Sequence, residues 1–207
     1  MARRPSYTDY PRTILWLVPG GTLTVNGSTV EVAPFYLSKW PITNAQYAAF
    51  DPEHRPAAVS PGPRDIAVGV GWEQADAYCR WYAEVSRKPM RLPTEAEWLH
   101  ACRGGSDDPA TDPTEGEGST LHGIGGLDPR LPADFGRING FGLHGMLGGV
   151  WEWTANPAAG AGSTSELRVL HGGSFRTDPG ALRCGLRREV PKEHLAEVGF
   201  RVAKSLR

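Results

Sequence analysis

The chain has 207 residues and a formal net charge of −1, and 40% of its residues are hydrophobic and 22% charged. These values are ordinary for a globular protein, and the near-neutral charge excludes an electrostatic basis for binding nucleic acid or a membrane surface. The length allows one domain with a sizeable core, or two small ones. The 26 glycines and 18 prolines indicate many turns rather than long helices.

The first quarter of the chain predicts a β-hairpin, a strand and a capped helix. Asn26-Gly27 interrupts a loosely alternating segment, residues 22–32, and is a strong hairpin signal. A further strand is predicted at residues 35–40. Thr43 and Gln46 have the spacing of a capping box, in which each side chain bonds the backbone of the other residue, so a helix is expected from here to Phe50.

Two more helices follow, and both contain a cysteine. Apolar residues recur at helical spacing over residues 72–87, and Cys79 belongs to that pattern. Thr94 and Glu97 form a second capping box, which predicts a helix to about Cys102. Both cysteines are expected to be packed in the core. With Cys184 the total is three, odd and widely spaced, which indicates neither a disulfide framework nor a zinc site.

The second half of the chain is predicted to consist of loops and short strands. Residues 104–134 are rich in Gly, Pro, Asp and Glu, which predicts a long loop whose acidic residues are solvated. Strands are expected around residues 151–153, 167–170 and 198–203, with Trp151 and Trp153 on one face and Glu152 on the other. This pattern predicts an α+β chain that forms a single domain over residues 1–207.

The N-terminal segment has no pattern of a targeting signal. A basic start precedes an apolar run at residues 14–18, which is too short for the core of a signal peptide. No run approaches the length of a transmembrane helix. We therefore expect a cytoplasmic protein.

Several motifs occur in a specific order. They are Pro19-Gly20-Gly21, the run from Pro34 to Tyr47, Gly71-Trp72-Glu73-Gln74-Ala75, the run from Arg91 to Trp98, Asn139-Gly140-Phe141-Gly142-Leu143, Trp151-Glu152-Trp153, Gly172-Gly173-Ser174-Phe175 and Gly199-Phe200-Arg201. Together they resemble the formylglycine-generating enzyme, or sulfatase-modifying factor, family over nearly the whole chain. The resemblance implies a C-type-lectin-like fold, with two to three helices, short antiparallel strands and much irregular structure.

The resemblance does not extend to the metal chemistry of the family's oxidases. Those enzymes bind copper through two cysteines between the Gly-Gly-Ser element and the Arg-Cys element. Here that interval, residues 175–183, contains no cysteine, and Cys184 matches a different family cysteine. Copper(I) requires soft thiolate ligands. We therefore expect no formylglycine-generating activity and no resident cofactor, with calcium as the one exception to consider.

The resemblance also implies a calcium site beside the tryptophan motif. By position its ligands are Gly145, Gly148, Val150 and Glu152, of which only Glu152 offers a carboxylate. Because calcium requires several oxygen ligands, backbone carbonyls would have to supply the others. The alternative is that Glu152 pairs with a buried arginine, either Arg201 or Arg187.

Three functions are compatible with these features: a binding domain, an enzyme and a catalytically inactive scaffold subunit. The first is a binding domain for a protein or a small-molecule ligand, with a C-terminal recognition surface over residues 174–198, as in the variable proteins of diversity-generating retroelements. Its ligand-binding residues would be Phe175, Arg176, Thr177, Asp178, Leu186, Arg188, Glu189, Lys192 and His194. The second is an oxidoreductase-type enzyme that lacks the catalytic cysteine pair and resembles the pyoverdine-maturation proteins. The polar groups of its pocket would be Glu152, Arg183, Arg187 and His171. A monomer is expected in either case.

Overall fold

The computed structural model describes residues 12–25, 27–106, 138–157, 166–193 and 197–206. The helices in these ranges are α1 (Asn44–Phe50), α2 (Trp72–Ser86) and α3 (Glu95–Arg103). The strands are β1 (Leu15–Val18), β2 (Gly21–Val25), β3 (Ser28–Val32), β4 (Phe35–Ser38), β5 (Met90–Arg91), β6 (Trp151–Pro157), β7 (Leu167–His171), β8 (Arg187–Pro191), β9 (Val198–Gly199) and β10 (Ala203–Ser205). The α+β class predicted from the sequence is confirmed.

Both predicted capping boxes are present. Thr43 Oγ1 accepts a hydrogen bond from the Gln46 amide, and Gln46 Oε1 accepts one from the Thr43 amide. Thr94 and Glu97 make the equivalent pair at the start of α3. Each box satisfies backbone N–H groups that a helix N-terminus leaves unpaired, so these residues fix where α1 and α3 begin.

The strands form two four-stranded sheets and a separate hairpin. The first sheet has the order β1-β4-β10-β5, the second has the order β8-β7-β6-β9, and β2 pairs with β3. The predicted hairpin is therefore confirmed, although Asn26 itself lies outside the described ranges. All pairings between these strands are antiparallel except β6 with β9.

The C-terminal strand predicted at residues 198–203 is two shorter strands. β9 pairs in parallel with β6, and β10 pairs antiparallel with β4 and β5. The three residues between them carry the chain from one sheet to the other, with Phe200 O and Val202 O accepting from the Ile42 and Ser38 amides. Arg201 lies at the centre of this crossover and is fully buried.

A buried disulfide joins two of the three cysteines, which corrects the prediction from their spacing. Cys102, near the end of α3, is bonded to Cys184 with a Cα–Cα distance of 5.7 Å and a sequence separation of 82 residues. Both side chains are at most 1% exposed. The predicted burial of Cys102 is confirmed, but its pairing had no local signal, because an 82-residue separation is closed only by the tertiary fold. Cys79 is free and buried in the core, as predicted.

Two predictions, the acidic loop and the role of His194, concern residues outside the described ranges. Most of the acidic loop, residues 107–134, and His194 lie outside them. None of the helices that the structure describes has the length and apolar character needed to cross a membrane.

Candidate functional site

The Gly172-Gly173 pair begins the C-terminal segment with two left-handed residues. Gly172 has φ +94° and Gly173 has φ +75°, a conformation that other residues rarely adopt. A Cβ atom at position 173 would lie 2.5 Å from Leu182 Cδ2. The glycines therefore let the following turn fold back closely onto the loop that contains Leu182.

Ser174 holds the turn that follows. It is 1% exposed, and its hydroxyl donates to Glu197 Oε2 over 2.7 Å. The Ser174 amide donates to Thr177 Oγ1, and the Thr177 amide donates back to Ser174 O, each over 2.9 Å. The turn presents Phe175, which is half-buried, and Arg176, which is exposed and lies 5.3 Å from the Phe175 ring centroid.

The rest of the segment alternates exposed polar residues with buried anchors. Asp178 is exposed and caps a 3-10 turn, Pro179–Ala181, by accepting from the Gly180 amide. Leu182 and the disulfide-bonded Cys184 are at most 1% exposed, whereas Arg183 between them is exposed. Buried Ser174, Leu182 and Cys184 therefore fix the backbone of this segment. Arg176, Asp178 and Arg183 lie between them and face solvent.

Strand β8 brings Arg188 to the same region. Its guanidinium carbon lies 4.6 Å from the Trp151 ring centroid, and the side chain lies 3.8 Å from Glu197, which also binds Ser174. Leu186, directly before β8, lies close to Gly173. Six of the nine predicted ligand-binding residues lie in residues 175–178 or in and directly before the start of β8, and we name this set the recognition face: Phe175, Arg176, Thr177, Asp178, Leu186 and Arg188.

The other three predicted residues do not join this face. Glu189 pairs with Arg187 over 2.7 Å on the opposite side of β8. Lys192 lies beyond the strand and pairs with Glu73 and Glu166, at 3.4 Å and 3.2 Å. His194 lies outside the described residues.

A row of polar residues crosses the opposite side of the second sheet. Glu152, His171 and Arg187 are direct cross-strand neighbours on β6, β7 and β8. Glu95 Oε1 joins two of them, because it accepts from His171 Nε2 over 3.1 Å and from Arg187 Nε over 2.7 Å. Hydrogen bonds from these two partners hold the pKa of Glu95 below its ordinary value, although burial opposes that shift.

Glu152 is committed to a buried ion pair. Its side chain and that of Arg201 are 1% and 0% exposed, and Arg201 Nε donates to both carboxylate oxygens over 2.9 Å and 3.0 Å. Trp98 Nε1 donates to Oε2 over 2.7 Å. Burial raises the pKa of Glu152, and the positive charge of Arg201 opposes this shift. Of the two arginines proposed as partners from the sequence, the structure places Arg201 there.

The remaining donors of Arg201 bind backbone carbonyls. One terminal nitrogen donates to Ser38 O and Lys39 O over 3.2 Å and 3.0 Å. The other donates to His144 O and, over 3.1 Å, to Gly145 O. A buried charge is tolerated where its partners satisfy it fully, so this arginine ties the crossover to β4 and to the loop before β6.

Some oxygen atoms of the predicted calcium site are already engaged in the hydrogen bonds of this ion pair. Both Glu152 oxygens and the Gly145 carbonyl already accept hydrogen bonds from protein donors. Within the described ranges, no group of three or more His, Cys, Asp and Glu side chains is placed to hold a metal ion. The site at Gly145, Gly148, Val150 and Glu152 stays a prediction, and it depends on backbone carbonyls.

A copper(I) ion held by two thiolates does not fit this chain. The chain has three cysteines, of which Cys102 and Cys184 form the disulfide. Burial raises the pKa of the remaining thiol, Cys79, well above its ordinary value. Because thiolates rather than thiols bind metal, no pair of soft ligands is available.

Sequence reasoning missed three residues that organise the site. Glu95 and Trp98 belong to the predicted α3 motif, but their contacts with β7 and β6 join residues 76 and 54 positions apart. Glu197, which connects Ser174 to Arg188, lies in no motif. Of the three, Glu95 alone carried a sequence signal, as one of two acidic residues in the first turn of α3. An acidic residue at that position is equally explained by its favourable interaction with the helix dipole.

Comparisons with known proteins agree with this architecture. A family model described as the sulfatase-modifying factor enzyme 1-like domain matches residues 4–206. The formylglycine-generating enzyme of Bos taurus is 29% identical over 204 residues, which cover 84% of this chain and 52% of that protein. The chain therefore spans about half the length of this relative.

Two solved structures share the fold. PvdO from Pseudomonas aeruginosa superposes with a TM-score of 0.77 at 24% identity, covering 93% of this chain and 94% of that one. Treponema denticola variable protein 1 superposes with a TM-score of 0.70 at 19% identity, covering 92% and 94%. The C-type-lectin-like fold of the formylglycine-generating-enzyme type, predicted from the motifs, is confirmed. The chain belongs to the sulfatase-modifying factor enzyme 1-like domain family.

Proposed function

We propose that this protein is a binding domain whose recognition face contacts a ligand, and that the ligand is a protein. The observation that carries the proposal is the separation of tasks within residues 174–188. Ser174, Leu182 and Cys184 are at most 1% exposed and fix the backbone, whereas Arg176, Asp178 and Arg188 are exposed. Exposed side chains on a fixed backbone are typical of binding loops on rigid scaffolds.

The arginines of the face are held in orientations that suit recognition. Arg188 lies over the buried Trp151 ring and Arg176 over Phe175, at 4.6 Å and 5.3 Å from the ring centroids. Stacking on an aromatic ring reduces the rotamer freedom that a partner would otherwise have to restrict. Arg183, also exposed, adds a third arginine to residues 176–188, and this segment contributes the Asp178 carboxylate, while Glu197 already pairs with Arg188 at 3.8 Å. We therefore infer a partner surface rich in carboxylates, because arginine binds carboxylates in a bidentate manner.

Site-specific photo-crosslinking in the native host tests this proposal. A photoreactive residue replaces Arg176 on the recognition face, and the matched control replaces Glu84, an exposed residue of α2. We expect a discrete adduct with a protein only from position 176. Adducts of equal yield from both positions, or none from either, would contradict a recognition face at residues 175–188.

Sequencing the gene across a population of the host tests the relation to diversified proteins. If the face is diversified, amino-acid differences will concentrate at its exposed positions and spare the anchors Ser174, Leu182 and Cys184. A uniform sequence, or changes spread equally over exposed and buried positions, would count against diversification.

A catalytic function is the alternative, and the observation that favours it is the junction at Glu95. His171 and Arg187 share one Glu95 oxygen, and a carboxylate that orients a histidine is a feature of many acid–base sites. His171 Nδ1 is also buried without a partner among the described residues. However, the His171 side chain is 2% exposed and lies under the Trp98 ring, with centroids 5.1 Å apart. Because a substrate would have to reach a side chain that the fold covers, binding is the better-supported function.

The disulfide also affects the inferred cellular location. Disulfides persist in oxidising compartments and are rare in the cytoplasm. The Cys102–Cys184 bond therefore favours an oxidising compartment over the cytoplasmic location that the sequence predicts. Alkylation of thiols in denaturant, after rapid acid quenching of intact cells, distinguishes the two, since both buried residues would then carry label in a cytoplasmic protein.

A further inference from the structure

A cavity of about 320 Å³ lies where α1 ends, between the loop that follows the helix and residues 68–70. Ala57, Val68 and Val70 contribute apolar groups to its lining. The polar groups come from Tyr47, Asp51, Glu53, His54, Arg55 and Gln74. This volume falls in the range of small-molecule sites, which combine an apolar wall with a few polar groups. No role for these residues follows from the motifs or from the recognition face.

The hydrogen bonds of Asn44 determine the tautomer of His54. The Asn44 amide nitrogen donates to Ser60 O over 2.7 Å and to Gly62 O over 2.9 Å, so its Oδ1 is the acceptor. His54 Nε2 lies 2.9 Å from that oxygen and must carry the hydrogen. Burial lowers the pKa of His54, so the neutral ring prevails near neutral pH and Nδ1 offers a lone pair.

The Tyr47 hydroxyl is a second acceptor. The side chain is 2% exposed, and its ring stacks on Tyr78 with centroids 5.8 Å apart. Burial, together with the negative charge of Asp51, raises the pKa of Tyr47 to about 12, so the hydroxyl is neutral. Its oxygen makes no hydrogen bond to any described residue, and it is not among the buried atoms without a partner, so it is accessible from the cavity that Tyr47 lines.

Asp51 gives the cavity its charge. Asp51 Oδ1 accepts from the Glu53 amide over 3.1 Å, but the carboxylate has no ion-pair partner in the ranges that the structure describes. The nearby cation, Arg55, is bonded to Glu53 Oε2 over 3.4 Å and to two backbone carbonyls. Among the described residues of the lining, Arg55 therefore offsets Glu53, and the charge of Asp51 has no ion-pair partner.

We propose that this cavity binds a small organic amine, with the ammonium group at Asp51, His54 Nδ1 and the Tyr47 hydroxyl. An ammonium group has three donors and no acceptor, which matches one carboxylate and two neutral acceptors. The apolar part of the ligand lies against Ala57, Val68 and Val70. Phe175 of the recognition face packs in the same hydrophobic cluster as Val68 and Ala57, so the cavity borders that face but does not depend on its function.

Calorimetric titration of the whole chain near neutral pH tests the proposal with two probes of similar shape and opposite charge. The probes are 2-phenylethylamine and 3-phenylpropionate. We expect the amine to bind with one equivalent per chain and at least about tenfold more tightly than the carboxylate, since a charge-assisted hydrogen bond contributes about 1.5–3 kcal/mol. Equal affinity for the two probes, or no binding of the amine at millimolar concentrations, overturns the proposal.

Variants locate the site. Asp51→Asn keeps the acceptor for the Glu53 amide and removes the charge, and should weaken amine binding at least about tenfold. Glu84→Gln is the matched control, because this exposed glutamate of α2 is not part of the cavity lining, and it should change affinity less than about twofold. Tyr47→Phe, which keeps the ring packing, should weaken binding severalfold. Unchanged binding in both Asp51→Asn and Tyr47→Phe refutes the site, and thermal unfolding verifies that each variant is folded.

Discussion

Removing the Cys102–Cys184 bond should lower the stability of the protein by several kcal/mol. The bond closes 82 residues of chain, and the entropy of that closure in the unfolded state corresponds to about 4.5 kcal/mol at 25 °C. Native disulfides typically contribute about 2–5 kcal/mol. A loss of about 1 kcal/mol lowers the Tm of a domain of this size by about 2–4 °C. Losing the whole loop-closure free energy of about 4.5 kcal/mol should therefore lower the Tm by about 9–18 °C.

The assay is urea unfolding of the oxidised protein, the dithiothreitol-reduced protein and a Cys102→Ala/Cys184→Ala double variant. The reduced protein and the double variant should have similar, lower midpoints than the oxidised protein. Reductant should leave the double variant unchanged, because its one remaining cysteine, Cys79, is free. This control separates loss of the disulfide from other effects of the reductant.

Two results would refute the reasoning. Thiol titration in denaturant without reductant should detect one thiol per chain, that of Cys79, and detection of three thiols would show that the bond is absent. If the bond is present but its reduction leaves the urea midpoint unchanged, the closure entropy does not determine stability here.

Three further outcomes follow from the polar contacts. Glu152→Gln should cost about 3–5 kcal/mol in urea unfolding, because it leaves the buried Arg201 charge without its counter-ion. The pKa of Glu95 in the folded protein lies below its ordinary value of 4.5, so the Glu95 carboxylate takes up a proton more readily in the unfolded chain. The ionised carboxylate therefore stabilises the fold above about pH 4.5, and this contribution is lost as the pH falls through the lower pKa of the folded state. Glu95→Gln should therefore flatten the decline in stability measured by urea unfolding between about pH 5 and pH 3. Thr94→Ala removes the side-chain acceptor at the start of α3 and should lower the free energy of unfolding by about 1 kcal/mol. An unchanged free energy in the first or third variant, or an acid limb as steep as that of the wild type in the second, would contradict the corresponding contact.

Local chemistry made the helices predictable. The Thr43–Gln46 and Thr94–Glu97 boxes depend on residues three positions apart, and the structure contains both hydrogen bonds of each box. The predicted second helix, residues 72–87, ends one residue earlier because Arg87 adopts the left-handed conformation, with φ 54°.

The contacts of the site were less predictable because they join distant parts of the chain. The sequence left Arg201 and Arg187 as alternative partners of Glu152, since residue type alone makes them equivalent. The parallel pairing of β6 with β9 decides between them, because it sets Glu152 opposite Gly199, two residues before Arg201. Arg187 lies two strands away and binds Glu95 instead. The strand register therefore determines which arginine pairs with Glu152, which residue type alone did not.

The residues that hold the C-terminal segment are different from those that it presents. Gly172, Gly173, Ser174 and the Cys184 disulfide fix the backbone through close approach and covalent linkage, and these are residues through which the sequence resembles its family. Between them, the side chains of Arg176, Asp178 and Arg183 are exposed to solvent. Because the fold constrains the first group and leaves the second free, the motifs specify the architecture strongly while leaving the ligand open. The same scaffold can therefore lack the copper cysteines and still hold an ordered C-terminal segment.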